Sequence, residues 1–180
     1  VAPELAGIVG SVGAKAIAGF GVDVSRIHWD MTSISLFGAY KSPDGDFIEP
    51  RFGHPKDRRP DLLQVQAGLA VSADGGIPLW HRAYDGGAGE IAQVVPAMEA
   101  LSKLAGQRRF LMVGDSKLVS YPNLAAINRA EVAFIAPASK TYVGAAVLAA
   151  LDFDAADPVD YIAQRDAKKN EQDRGSYRVL

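Results

Sequence analysis

Between residues 27 and 38 apolar and polar side chains alternate. Ile27, Trp29 and Met31 fall on one side, and His28, Asp30 and Thr32 on the other. A period of two predicts a β-strand with one buried face. Aspartate is a poor strand former, so a carboxylate in mid-strand beside a tryptophan needs a reason other than backbone preference. Upstream, Leu5, Ile8, Val9, Val12 and Ile17 recur at roughly helical spacing and predict a helix from residue 4 to about 20. Residues 40–61 are rich in Pro, Gly and charge and predict a long loop. Residues 62–86 predict two strands joined at Asp74-Gly75-Gly76, a hairpin signal. Residues 89–105 predict an amphipathic helix with Ile91, Val94, Val95, Met98, Leu101 and Leu104 inward and Pro96 near its first turns. "FLMVGDS" and "EVAFIAPA" are short continuous apolar runs, the pattern of strands buried on both faces. Between them, residues 121–130 predict a short helix with Pro122 near its start. Residues 141–153 are apolar and predict a further helix, and from Asp152 the chain turns polar.

Three hairpin-joined strands followed by strand-helix units predict a mixed α/β sheet covered by helices. Ligands in such sheets gather at the carboxyl ends of parallel strands. The 180 residues suffice for one domain with a sizeable core. A net charge of −2 argues against tight DNA binding by this chain alone. The absence of cysteine excludes disulfides and thiolate zinc sites and fits a cytoplasmic protein. No apolar run is long enough to span a membrane. Residues 1–25 lack a basic start and read as the end of an upstream helical region rather than a signal peptide.

Asp115 closes the "FLMVGDS" run, a carboxylate at the end of a strand. Taken alone it also fits a turn aspartate or helix cap, and Asp30 also fits a strand residue facing solvent. Two carboxylates converging from separate strands would repel unless a cation sat between them. An all-oxygen setting suits Mg²⁺ or Mn²⁺, ions that serve phosphoryl transfer. His28, His54 and His81 have no metal-ligand spacing. "GIVGSVG" follows no strand and is no dinucleotide loop. Trp29 and Trp80 read as packing residues. Arg51, Lys56, Arg58 and Arg59 crowd one Pro/Gly-rich stretch, interrupted by Asp57 and Asp61. They form either a solvated charged loop or a phosphate-contacting hairpin beside the carboxylates.

The segments "WDMTSISLFG", "GHPKDRRPDLLQVQAGLAVSADGGIPL" and "VGDSKLVSYPNLAAI", in that order, resemble the catalytic region of bacterial insertion-sequence transposases of the DDE class. The resemblance runs from about Ile27 to Phe134. It implies a ribonuclease-H-like core over residues 26–151, three antiparallel strands then parallel strands, truncated relative to the family. It implies that Asp30 and Asp115 are the first two catalytic, metal-holding acids, with Mg²⁺ or Mn²⁺ as cofactor. DNA, both transposon ends and target, would be the partner, the full-length protein a homodimer, and the setting the bacterial nucleoid. The family's third acid is a glutamate in a Tyr-x-x-Arg-x-x-x-Glu pattern. Tyr161, Arg165 and Glu171 do not reproduce that spacing, so the chain is expected to be catalytically incomplete, with residues 152–180 a polar tail or the start of an insertion. Gly86-Gly87 stands where the family often has Gly-Asn. A phosphatase of the haloacid-dehalogenase type is the main rival. It would need acids where Thr32 and the 117–119 stretch stand. A degenerate module that binds DNA or self-associates is the other.

Overall fold

The computed structural model of the protein describes residues 5–38, 40 and 47–180. Residues 41–46 of the expected long loop lie outside the described residues. Strand β1 (Arg26–Leu36) carries the predicted alternation, with Ile27, Trp29 and Met31 at most 3% exposed and the residues between them open to solvent. It pairs antiparallel with β2 (Leu63–Ser72), which pairs antiparallel with β3 (Pro78–Tyr84). On its other side β1 runs parallel to β4 (Leu111–Val113), and β4 parallel to β5 (Ala133–Ile135). The spatial order is β3-β2-β1-β4-β5. This is the expected mixed sheet, three antiparallel strands followed by parallel ones. Helices α1 (Leu5–Phe20), α2 (Glu90–Ala105) and α3 (Tyr121–Arg129) flank it.

The β2–β3 turn is made where the sequence places it. Gly75 and Gly76 both take positive φ (72° and 62°), and the Ser72 N–H donates to the Ile77 carbonyl at 2.9 Å. The core forms where the apolar face of β1 meets α2. Val94, Ala97, Met98 and Leu101 of α2 lie over Ile27, Trp29 and Met31, joined by Met112, Leu118 and Ile127. Each fully buried side chain of this size contributes about 1.5–3 kcal/mol. Large residues on β1 face small ones on β2: Trp29 pairs with Ala70 and Met31 with Gly68. A Cβ at Gly68 would stand 3.2 Å from the Tyr84 ring and 3.5 Å from Trp29 Nε1. Helix α1 lies along β3, with Gly13 against the Leu79 backbone and Ile17 on the core margin, while Ile8 and Val12 stay exposed.

Two apolar segments depart from expectation. Ile91 is 48% exposed rather than inward, because the buried stripe of α2 runs through residues 94, 97, 98 and 101 and leaves the first turn outside it. Strand β5 is exposed along its length instead of buried on both faces; it is the last strand of the sheet and has only β4 beside it.

Contacts divide the chain into residues 1–138 and 139–180. Within the second unit, α4 is shorter than the apolar run suggests (Ala145–Ala149) and buries no residue. Strands β6 (Asp157–Val159) and β7 (Tyr177–Val179) form an antiparallel ribbon. Buried Asp166 ties this unit together, holding Lys169 at 2.8 Å and the Gly175 N–H at 3.2 Å. Among the described residues no helix is long and apolar enough to cross a membrane.

Replacing Gly68 by valine should overpack the space shared by Trp29 and Tyr84 and lower stability by about 1–3 kcal/mol. The urea midpoint, followed by tryptophan fluorescence, reads this directly. An unchanged midpoint would mean that β2 relaxes freely there.

Candidate active site

The parallel pairing of β1 with β4 matches His28 to Val113. Two residues further along each chain the pleat returns to the same face. At those positions stand Asp30 and Asp115. Neighbouring strands lie about 4.8 Å apart, so register alone brings the two carboxylates to one place. A third arrives from elsewhere: Glu90, first residue of α2, follows the small-residue stretch Gly86-Gly87-Ala88-Gly89. Carboxylate oxygens of Asp30, Glu90 and Asp115 all lie within 4.8 Å of one another. Asp115 is also a cap, since its Oδ1 accepts from the Lys117 N–H at 2.8 Å. The cap reading of this aspartate is thus met, and the same side chain stands beside Asp30 and Glu90.

Three like charges in one place raise the cost of ionising the least solvated. That is Glu90. Burial foremost, then Asp115, pushes its carboxyl above the ordinary value of 4.5. Lys56 opposes the shift, Asp30 adds to it, and the Met31 backbone opposes it. One Glu90 oxygen is buried with no hydrogen-bond partner. The Lys56 ammonium stands 3.3 Å from one Asp30 oxygen and 3.4 Å from the other, and also donates to the Met31 carbonyl. Glu90, Lys56, Lys117, His54 and Gln64 line a cavity of about 420 Å³ beside the carboxylates. On the open sheet face, His28, Asp30, Thr32, Leu69, His81 and Asp115 border a depression of about 750 Å³.

Gly86 fixes the approach to Glu90. A Cβ there would collide with the Gln64 carbonyl and stand 2.6–2.7 Å from the Arg51 backbone, so only glycine lets the chain leave β3 this close to β2. Arg51 in turn exchanges two backbone hydrogen bonds with Gln64, of 3.0 and 2.9 Å.

The four cations of the predicted loop meet different partners. Arg51 forks onto Glu49 at 2.6 and 3.1 Å. Lys56 reaches Asp30. Arg59 forks onto Asp61 at 2.8 and 2.7 Å, with its guanidinium 5.7 Å from the Phe37 ring centre. Arg58 makes no ion pair among the described residues and holds a positive φ of 60°. In the second unit Arg165 donates to the Tyr177 hydroxyl at 3.4 Å, and Glu171 lies in a 3₁₀ turn. Sequence reasoning missed Glu90. An acid in the first turn of a helix is the ordinary complement of its dipole and carries no signal alone. The glycine-rich break before it is what could have drawn attention.

No protein family and no curated protein matches the chain by sequence. In structure it is similar to the catalytic domain of Mos1 mariner transposase, at 8% identity and TM-score 0.42, over 73% of this chain and 58% of that one. It is similar to Mos1 transposase in a paired-end complex with the left transposon end, at 8% identity and TM-score 0.43, over 73% and 41%. It is similar to piggyBac transposase in a synaptic complex with hairpin DNA, at 9% identity and TM-score 0.41, over 62% and 22%. The chain thus spans less than two thirds of each of these proteins.

Glu90→Gln should show a pH-dependent gain in stability. Because the folded state raises the Glu90 pKa, native protein keeps a proton that unfolded protein loses above about pH 4.5, and stability falls as pH rises through that window. At pH 7, above the ordinary carboxyl range, that cost is felt, so in chelator the glutamine variant should melt higher than wild type. Below pH 4.5 the two should converge. Equal melting at pH 7 would show that Lys56 already offsets the burial of this carboxylate.

Proposed function

We propose that this chain is the catalytic core of a DNA transposase of the DDE class, cutting and joining DNA strands with Mg²⁺ or Mn²⁺. The observation that carries this proposal is the convergence of Asp30, Glu90 and Asp115 from three separate elements. The donors suit a hard cation: they are oxygens only, and one Glu90 oxygen is buried and unpaired. Asp30 and Asp115 would hold the ion from the sheet, and Glu90 from α2. Bound there, a divalent cation activates the attacking oxygen and stabilises the leaving one in phosphoryl transfer. Glu90 takes up part of the role left open by the unmatched family glutamate, although it precedes Asp115 in the chain. Arg51, Lys56, Arg58 and Arg59 belong to the loop that reaches the site through Lys56, and they would serve as contacts for DNA phosphates, which the three carboxylates would otherwise repel. Transposon ends and target DNA are the proposed partners, with a homodimer as the assembly and the bacterial cytoplasm as the setting. The phosphatase alternative gains nothing here, since Thr32 and Lys117 stand where it needs acids.

Mn²⁺ titration calorimetry tests the metal site. Asp30→Asn, Asp115→Asn and Glu90→Gln should each weaken Mn²⁺ binding by about tenfold or more, because each leaves only two of the three carboxylates. Equal uptake by wild type and both aspartate variants would overturn the proposal. Nicking of supercoiled plasmid in Mn²⁺ should likewise require Asp30 and Asp115.

Arg58 tests the DNA contact. A non-glycine residue in the left-handed region costs roughly 1–2 kcal/mol, which Arg58→Gly should relieve. The variant should therefore keep or gain stability while losing DNA affinity, with a slope of log affinity against log salt shallower by about 0.9 for one lost phosphate contact. Arg59→Ala should change that slope less, because Asp61 already holds the Arg59 guanidinium. An unchanged slope in Arg58→Gly would return the loop to a solvated surface feature.

A further inference from the structure

We infer that Lys56 is the resident cation of the acidic site, a tethered ammonium that competes with a divalent ion for Asp30. This rests on the metal-site reading above and adds a residue that acts against the metal. The backbone, not a wandering side chain, puts the ammonium there. The Lys56 N–H donates to Ser33 Oγ at 2.9 Å, and Ser35 Oγ donates to the Asp57 carboxylate at 2.7 Å. Both serines belong to β1, three and five residues beyond Asp30. The Arg58 N–H closes a turn onto the Pro55 carbonyl at 3.0 Å. The loop is thus laced to the strand that carries the aspartate.

Once delivered, the ammonium uses its three donors on one spot: the two Asp30 oxygens and the Met31 carbonyl. It straddles the carboxylate almost symmetrically, so neither Asp30 oxygen is left to a metal without a positive charge beside it. Lys56 also lines the 420 Å³ cavity together with Glu90, so the residue that contacts Asp30 borders a second of the three acids. The contact remains displaceable. The two side chains are 55% and 63% exposed, and water screens the pair. A buried lysine would lock the site, whereas an exposed one neutralises it until a doubly charged ion arrives. Displaced from Asp30, the same ammonium would be available to a phosphate oxygen.

Mn²⁺ affinity, measured by calorimetry and by the electron-paramagnetic signal of free Mn²⁺, separates the outcomes. Lys56→Met keeps the length of the side chain and removes its charge. It should bind Mn²⁺ up to about fivefold more tightly than wild type, the upper end of what release of an exposed ion pair supplies. Lys56→Arg should stay near wild type. Adding Lys56→Met to Asp30→Asn should change Mn²⁺ binding by less than Lys56→Met does alone, since the carboxylate contested by direct contact is gone. Raising monovalent salt should narrow the gap between Lys56→Met and wild type. If Lys56→Met binds Mn²⁺ no more tightly than wild type while Asp30→Asn still loses it, the metal site stands and Lys56 is not a competitor. If Asp30→Asn binds Mn²⁺ as wild type does, the metal site itself falls, and this inference with it.

Discussion

The pleat of β1 is the constraint on which the rest of the structure depends. The strand is hydrogen-bonded along both edges, antiparallel to β2 and parallel to β4. It therefore cannot slide relative to one neighbour without breaking its pairing to the other. Its alternation sends Ile27, Trp29 and Met31 under α2 and leaves Asp30 on the opposite face. A slip of one residue would bury the carboxylate and expose the tryptophan, so the burial of Trp29 enforces the position of Asp30. Gly68 and Ala70 on β2 make that burial possible by leaving room where the large side chains press. The core and the candidate site are thus two faces of one register.

That register has an electrostatic cost. It sets Asp30 and Asp115 side by side, and the tight exit from β3 at Gly86 adds Glu90. Among the described residues, the ammonium that contacts Asp30 directly is that of Lys56. Lys117 meets Asp115 through its backbone N–H, which contributes a dipole and not a full charge. Folding therefore works against carboxylate repulsion that local sequence does little to relieve, and a bound cation would relieve it. Sites that are uncomfortable when empty of counter-charge are common where charge must later be handled. Of the four cations in the loop beside the site, Arg51 pairs with Glu49 and Arg59 with Asp61, while Lys56 alone pairs with a carboxylate of the site, Asp30.

The parts of this architecture legible in the sequence were those set by short-range pattern. The two-residue period fixed β1 and the outward face of Asp30, Asp74-Gly75-Gly76 marked the hairpin, and Gly114-Asp115 marked the end of β4. Burial was less legible, because it depends on what lies across space. "VAFIAPA" and "FLMVGDS" read alike, yet β4 has strands on both sides and β5 on one, and the difference is one of sheet order. Ile91 belongs to the apolar period of α2 but falls in its first turn, past the stripe that faces β1. Glu90 was illegible for a related reason. Its distance from Asp30 and Asp115 is set by where α2 starts over the sheet, which no local spacing states. The second unit shows the limit from the other side: a polar stretch with little apolar period still folds into a ribbon, held by Asp166 with Lys169 and Gly175.

The order of the acids in the chain bears on how the site was assembled. Asp30 and Asp115 come from parallel neighbours, so their proximity follows from the sheet and would persist in any variant that keeps the β1–β4 pairing. Glu90 depends instead on a helix terminus, whose position answers to the Gly86–Gly89 stretch and to the backbone of Arg51 and Gln64. Shifts there move the third carboxylate without disturbing the first two. The site therefore has a rigid pair and an adjustable third member. The loop that meets Gly86 at one end, through Arg51, reaches Asp30 at the other, through Lys56. A change at either end of that loop is felt by a carboxylate, which ties the charge of the site to the backbone geometry of residues 51–56.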